Sequence, residues 1–167
     1  IYMKIFLGAD HAGFELKEIL KKYLRDELGI EVSDEGAFAL NPDDDYPDFV
    51  RIVAQRVAGD PTGSRGIILG GSGQGEAIVA NRFKNVRAVV YYGLPRVEPR
   101  DDGSLDIIKL SREHNDANIL SLGARFITPE EAKGAVKLWL ETRASDEPRH
   151  ARRIKKIDNP DRPDHQF

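Results

Sequence analysis

A short apolar run, Gly66-Ile67-Ile68-Leu69, breaks into four glycines within the six residues Gly70 to Gly75 and closes on one carboxylate, Glu76. An uninterrupted apolar run of this length suits a strand covered on both faces. The glycines that follow permit positive φ and let another group approach the backbone closely, so the strand turns into a loop whose N–H groups are uncovered. Such a loop, placed before a helix, can wrap an anion. Glu76 stands where that helix begins and is the candidate for the chemistry.

The rest of the chain repeats the same unit. Met3 to Leu7 reads as a first strand that stops at Gly8-Ala9-Asp10-His11-Ala12-Gly13, after which Leu16, Ile19, Leu20, Tyr23 and Leu24 recur at helical spacing until Gly29. Ile30 to Val32 is a short second strand. Asp34 to Asp48 is an acidic loop in which Pro42 and Pro47 argue against regular structure, and Val50, Val53, Ala54 and Val57 make the next helical face. Beyond the glycine loop, Ile78 and Val79 belong to a helix and Arg87 to Tyr92 to a fourth strand. Gly93 to Gly103 reads as an exposed excursion. Leu105 to Arg112 is a helix, Ala117 to Leu122 a fifth strand, and Pro129 opens a helix that runs through Leu140. From Ala144 the chain becomes a basic arm outside the sheet.

Strands alternating with helices predict a single α/β domain over 1–167 with a doubly wound, five-stranded parallel sheet and right-handed crossovers. The expected order is flavodoxin-like, 2-1-3-4-5, with a C-terminal helical arm over 144–167. Ligands of such sheets sit beyond the carboxyl ends of the strands at the switch point, here between strands one and three. Asp10-His11 and the glycine loop are therefore expected to converge on one cleft.

The glycines match neither familiar nucleotide signature: the Lys-Ser/Thr of a P-loop is missing, and Gly71-x-Gly73-x-Gly75 is not G-x-G-x-x-G. With no cysteine in the chain, thiolate clusters and thiol nucleophiles are excluded. A formal charge of −3 argues against a nucleic-acid partner. No apolar run approaches the roughly 18 residues of a membrane span, and a cytoplasmic address fits. The Asp43-Asp44-Asp45 run lacks EF-hand spacing and reads as a solvated loop, so no metal and no cofactor are expected. Two plainer readings stay open: Asp10 as a helix cap, and His114-Asn115-Asp116 as a polar loop.

Gly8-Ala9-Asp10-His11-Ala12-Gly13-Phe14-Glu15-Leu16-Lys17, Asp45-Tyr46-Pro47-Asp48, Gly70 to Gly75 with Ala80-Asn81, Arg112 to Asn118, and Arg149-His150-Ala151-Arg152-Arg153 stand in order along the chain. Together they resemble the type B ribose-5-phosphate isomerases and their galactose- and allose-6-phosphate relatives. The resemblance implies an aldose–ketose isomerase, without metal, whose two sites per homodimer are each built from both subunits. It also admits a dimer of dimers. Many members carry a cysteine base at the position of Gly70; a second branch carries a glutamate just after the loop, where Glu76 stands.

By the same resemblance, Glu76 moves a proton between C2 and C1 through a cis-enediolate. Ser72 and the backbone N–H groups of Gly71, Gly73, Gln74 and Gly75 hold the enediolate oxygen. His114 helps to open the sugar ring, Asp10 and Asn115 grip hydroxyls, and Tyr46 lines the pocket. His11, Arg125, Arg149 and Arg153 hold the phosphate. Interconversion of ribose 5-phosphate and ribulose 5-phosphate is the leading expectation. The alternatives are another sugar phosphate (galactose-6-phosphate, allose-6-phosphate or a tetrose phosphate) and a phosphosugar-binding protein without catalysis.

Overall fold

The computed structural model describes residues 3–93 and 106–159, so the expected excursion lies, Gly93 apart, outside the described residues. The elements are β1 (Lys4–Ala9), α1 (Phe14–Lys22) continued by a π turn at Tyr23–Glu27, β2 (Val32–Asp34), α2 (Tyr46–Gly59), β3 (Ser64–Gly70), α3 (Gln74–Ala80), β4 (Ala88–Tyr91), α4 (Ile107–Asn115), β5 (Ile119–Gly123), α5 (Pro129–Glu141) and α6 (Pro148–Asp158).

All strand pairings are parallel. The two faces of the sheet carry separate cores, and the alternation of side chains along each strand feeds both. Ile5, Leu7, Ile67, Leu69, Leu120 and Leu122 pack with Leu20 of α1 and Trp139 of α5 on one face. Phe6, Ile68 and Ile119 pack with Val50, Val53 and Val57 of α2 on the other. Helix α2 lies so close to the sheet that a Cβ on Gly8 or Gly66 would come within 2.8 Å of a Val53 methyl. Those two glycines set the spacing of this layer.

The order is β2-β1-β3-β5-β4 rather than 2-1-3-4-5, so the last two strands exchange places within the expected fold class. Burial gives the reason. Every residue of β5 is buried and needs a neighbour on each side, whereas Ala88, Val89 and Val90 of β4 are only partly covered and suit an edge. The switch point survives the exchange because β1 and β3 remain adjacent.

Two local expectations shift. The second strand starts at Val32, two residues later than expected. Pro47 does not bar structure: it sits in the first turn of α2, where its missing N–H has no intrahelical acceptor to lose. Pro129 plays the same part in α5, which Thr128 and Glu131 close with a reciprocal capping box.

The seven residues of β3 separate the two ends of the sheet by about 20 Å at ~3.3 Å per residue. At the carboxyl end lie Asp10, the glycine loop and Gly123 to Arg125. At the amino end Asp116, in the left-handed region at φ 45°, collects Arg112 at 2.7 Å, Arg87 at 3.1 Å and Arg65 at 3.8 Å. Burial, with Arg112 nearby, brings Arg65 down to about 10. The arm is fastened here too: Ser145 N donates to Glu113 O, and Arg87 holds Asp158 at the end of α6 at 2.9 Å. Among the described residues no helix is long and apolar enough to cross a membrane.

Candidate active site

Strand β3 delivers the glycine loop to the carboxyl end, and the loop is fixed by its carbonyls. Gly70 O accepts from Ala124 N (2.9 Å), Gly71 O from Arg125 N (3.1 Å), and Gly73 O from both Ala77 N (3.1 Å) and Ser121 Oγ (2.6 Å). The N–H groups of Gly71, Ser72 and Gly73 find no acceptor among the described residues. Gly73 takes φ 76°, which a side chain would strain, and a Cβ there would press on Ser121 and Leu122. The result is a rigid turn with a row of free donors.

Glu76 enters this turn from the first turn of α3 and is 4% exposed. A Cβ at position 70 would coincide with Glu76 Oε1, so the carboxylate occupies the volume of a side chain that Gly70 lacks. Burial pushes the Glu76 carboxyl above the ordinary carboxylate range, its own backbone N–H opposes this, and the negative charge of Asp10 adds to the rise. Tyr46 brings its hydroxyl against Gly75, where a Cβ would meet Oη at 2.6 Å, and the exposed guanidinium of Arg125 lies over Gly71. Ser72 is exposed, and its Oγ accepts from Gln74 N at 3.3 Å.

Asp10 converges on the same cleft; it is not the N-cap of α1, a position that Gly13 takes with no side-chain cap. Asp10 Oδ1 accepts from Ala12 N (3.0 Å) and Gly13 N (3.1 Å), tying the turn into α1, while its Oδ2 lies 4.0 Å from His11 Nδ1. Gly13 allows that turn to lie against Leu69, since a Cβ on it would come within 2.6 Å of the Leu69 Cβ. The acidic run needs a correction. Asp44 is not solvated: its side chain is 8% exposed, and its Oδ1 accepts from His11 N (2.9 Å) and contacts His11 Nδ1 at 2.7 Å. That hydrogen bond raises the His11 pKa, with support from the charges of Asp10 and Asp44 and opposition from partial burial and Arg125. Asp10, His11 and Asp44 bring ligating atoms within 4.8 Å of one another, and here they form a hydrogen-bonded pair beside a carboxylate that ties the turn before α1.

His114, Asn115 and Arg149 do not join them, nor does Arg153. His114 and Asn115 end α4 just before β5, and Arg149 and Arg153 lie one turn apart on exposed α6. They gather at the amino end of the sheet, across the length of a strand from Glu76. His114 stacks there on His150 with ring centroids 4.2 Å apart, and His150 is buried with Nδ1 unpartnered. A cavity of about 650 Å³ is lined by His114, Glu113, Arg143, Glu147, Arg149 and His150 among others. Asn115 faces a separate groove of about 1010 Å³ with Arg87 and Asp158. His114 and Asn115 lie just before a strand, the sequence signal for this end, and Arg149 and Arg153 follow α5, which lies between them and β5.

The cleft has counterparts. The sequence matches the Ribose/Galactose Isomerase family over residues 5–157. It is 41% identical over 152 residues to Ribose-5-phosphate isomerase B of Mycolicibacterium paratuberculosis, covering 91% of this chain and 87% of that one. To Ribose-5-phosphate isomerase B of Escherichia coli it is 38% identical, covering 92% of this chain and 93% of the other. The fold superposes on Ribose-5-phosphate Isomerase B of Mycoplasma genitalium with bound ribulose-5-phosphate at a TM-score of 0.83, with 32% identity and 95% of each chain covered. On the ribose 5-phosphate isomerase of Thermotoga maritima the TM-score is 0.79, with 40% identity over 95% of this chain and 99% of that one. A glycine loop at a β1/β3 switch point, with relatives this similar over nearly the whole length, makes the chain a member of the ribose/galactose isomerase family.

Proposed function

We propose that this chain interconverts ribose 5-phosphate and ribulose 5-phosphate, with Glu76 as the base. What carries the reading is the Glu76 carboxylate, buried against Gly70 beside a row of unpaired amides, with its pKa raised by burial. A proton α to a carbonyl is removed at a useful rate only if the developing oxyanion is stabilised and the base has a pKa near the working pH. Glu76 takes the C2 proton of the open-chain aldose, and the C2–H electrons form the C1–C2 double bond while the C1=O π pair moves onto O1; a proton passes from the O2 hydroxyl to O1, and O2 then closes to the ketone carbonyl as the C1–C2 π pair takes the proton back from Glu76 at C1. Ser72 Oγ and the amides of Gly71, Gly73, Gln74 and Gly75 hold the enediolate oxygen. Tyr46 closes the side of the pocket, and His11 and Arg125 take the phosphate.

His114, Asn115, Arg149 and Arg153 reach this centre only from a second copy, since their own lie about a strand's length away. In this reading the site is shared across a homodimer or a dimer of dimers, with the α6 arm of one copy packing at the cleft of the other. His114 and Asp10 open the furanose ring, Asn115 grips a hydroxyl, and Arg149 and Arg153 complete the phosphate cradle. The names of the relatives, and the ribulose-5-phosphate bound in one of them, favour the pentose over the hexose phosphates.

The test is a panel of aldose phosphates in deuterated water with a chelator present. The proposal expects ketose formation with solvent deuterium in the product, fastest for ribose 5-phosphate. A faster hexose or tetrose phosphate would reassign the substrate, and binding without exchange would leave a phosphosugar-binding protein.

A further inference from the structure

The most unusual group near the cleft is one that the isomerase chemistry does not use. Asp44 belongs to the loop before α2, yet its side chain is 8% exposed, and Oδ2 is buried with no hydrogen-bond partner. A carboxylate taken out of water is normally matched on both oxygens or set against a cation. Here Oδ1 alone is matched, by the His11 backbone N–H at 2.9 Å and by the imidazole Nδ1 at 2.7 Å. Among the described residues the imidazole is the one cation-forming group in contact with this acid, and the double contact fixes both the backbone and the ring of one residue.

We infer that Asp44 is a positioning residue that holds His11 as an imidazolium, with Nε2 as a charged donor for the dianionic phosphate of the substrate. Asp44 touches no substrate itself; it acts through His11, and the inference rests on the phosphate role given to His11 above. A neutral imidazole whose Nδ1–H is bound to Asp44 would offer Nε2 as an acceptor, which repels a phosphate oxygen, whereas the protonated ring offers a second N–H. The charged groups facing the ring are Asp44 from the α2 side, Asp10 from its own turn and Arg125 from beyond β5. The two acids favour the protonated ring, and Arg125, itself a phosphate ligand in this reading, opposes it. The pair therefore lets two cations sit side by side before the anion arrives.

Asp44→Asn keeps the size and an acceptor oxygen but removes the charge; Asp44→Ser is a second neutral variant should the first fail to fold. An imidazole at its ordinary pKa near 6.5 is protonated about one time in ten at pH 7.5, so KM for ribose 5-phosphate should rise there, by up to roughly tenfold, and converge on wild type near pH 6. The kcat should move by less than about threefold, because the reacting carbon lies beside Glu76. Titration of the phosphate itself cancels in the ratio of variant to wild type. A rise in KM of equal size at pH 6 and 7.5, or a matching fall in kcat, would mark a merely structural acid and overturn the inference.

Nuclear magnetic resonance separates this result from the fate of the proposed activity. The chain has 4 histidines, and His11→Gln assigns the His11 signal. The His11 midpoint should fall in either neutral variant, in the absence of any sugar. An unmoved midpoint overturns the inference even in an active isomerase. A fallen midpoint supports Asp44 even if no aldose phosphate is turned over.

Discussion

The two ends of the sheet carry different sets of polar side chains. At the carboxyl end, Asp10, His11, Tyr46, Glu76 and Arg125 meet around a turn fixed by four backbone and side-chain hydrogen bonds to its carbonyls. At the amino end, His114, Asn115 and Arg149 line cavities, Arg153 lies one turn along α6 from Arg149, and all four are about a strand's length from Glu76. The first end is fixed by its own backbone; in the proposed mechanism the second end completes the cleft of another copy. A parallel sheet produces this division mechanically: whatever follows a strand goes to one end, and whatever precedes a strand goes to the other. A chain that needs both sets at one carbon has to bring in a second copy.

The largest loss is expected from removing the group proposed to make the carboxyl end reactive. Glu76→Gln should lower turnover on the order of 10²–10⁴-fold with sugar-phosphate affinity retained, read by steady-state kinetics and by calorimetric titration. Near wild-type turnover would take Glu76 out of the mechanism and leave the end that holds it without a base.

A smaller effect sharpens the division of labour. Glu76→Gln and His114→Ala each disable one end, so each should be nearly inactive alone. Refolded together in equal amounts, half of the dimers are mixed and each mixed dimer has one intact shared site, so about one quarter of wild-type activity should return. Two inactive variants that stay inactive when mixed would place His114 and Glu76 in the same subunit's site, contrary to the separation seen in the fold.

The smallest effect concerns stability. A carboxyl whose folded pKa lies above its unfolded value contributes stability below the unfolded pKa and loses it as pH rises through the folded one. Glu76 is raised in this way. Wild type should therefore melt below Glu76→Gln at pH 7.5, with the gap closing as pH falls toward 4. Equal melting temperatures at both pH values would mean that the carboxylate is not held out of water.

How much of this could be read in advance varied with range along the chain. Glu76 was legible because a carboxylate directly after a glycine loop is a local pattern, and Asp10 because its strand ends beside it at the switch point. His114 reads only as a polar loop or, by resemblance, as a group that opens the sugar ring; that it lies at the opposite end of the sheet from Glu76 comes from the fold. Nor was Asp44 legible. In the sequence it is the middle of three consecutive acids, and only the meeting of the loop before α2 with the turn after β1 buries it against His11.

The chain's own pattern determined the alternation of strands and helices, the glycine cradle and the acid that closes it. These depend on neighbours within a few residues: side-chain period, glycine's access to positive φ, proline at a first turn. The tertiary structure alone decided that β5 lies inside β4, that Asp44 pairs with His11, and that Glu76 fills the space left by Gly70. Each of those follows from which surfaces are buried against which, and burial is settled between segments far apart in the chain, where no local spacing carries the information.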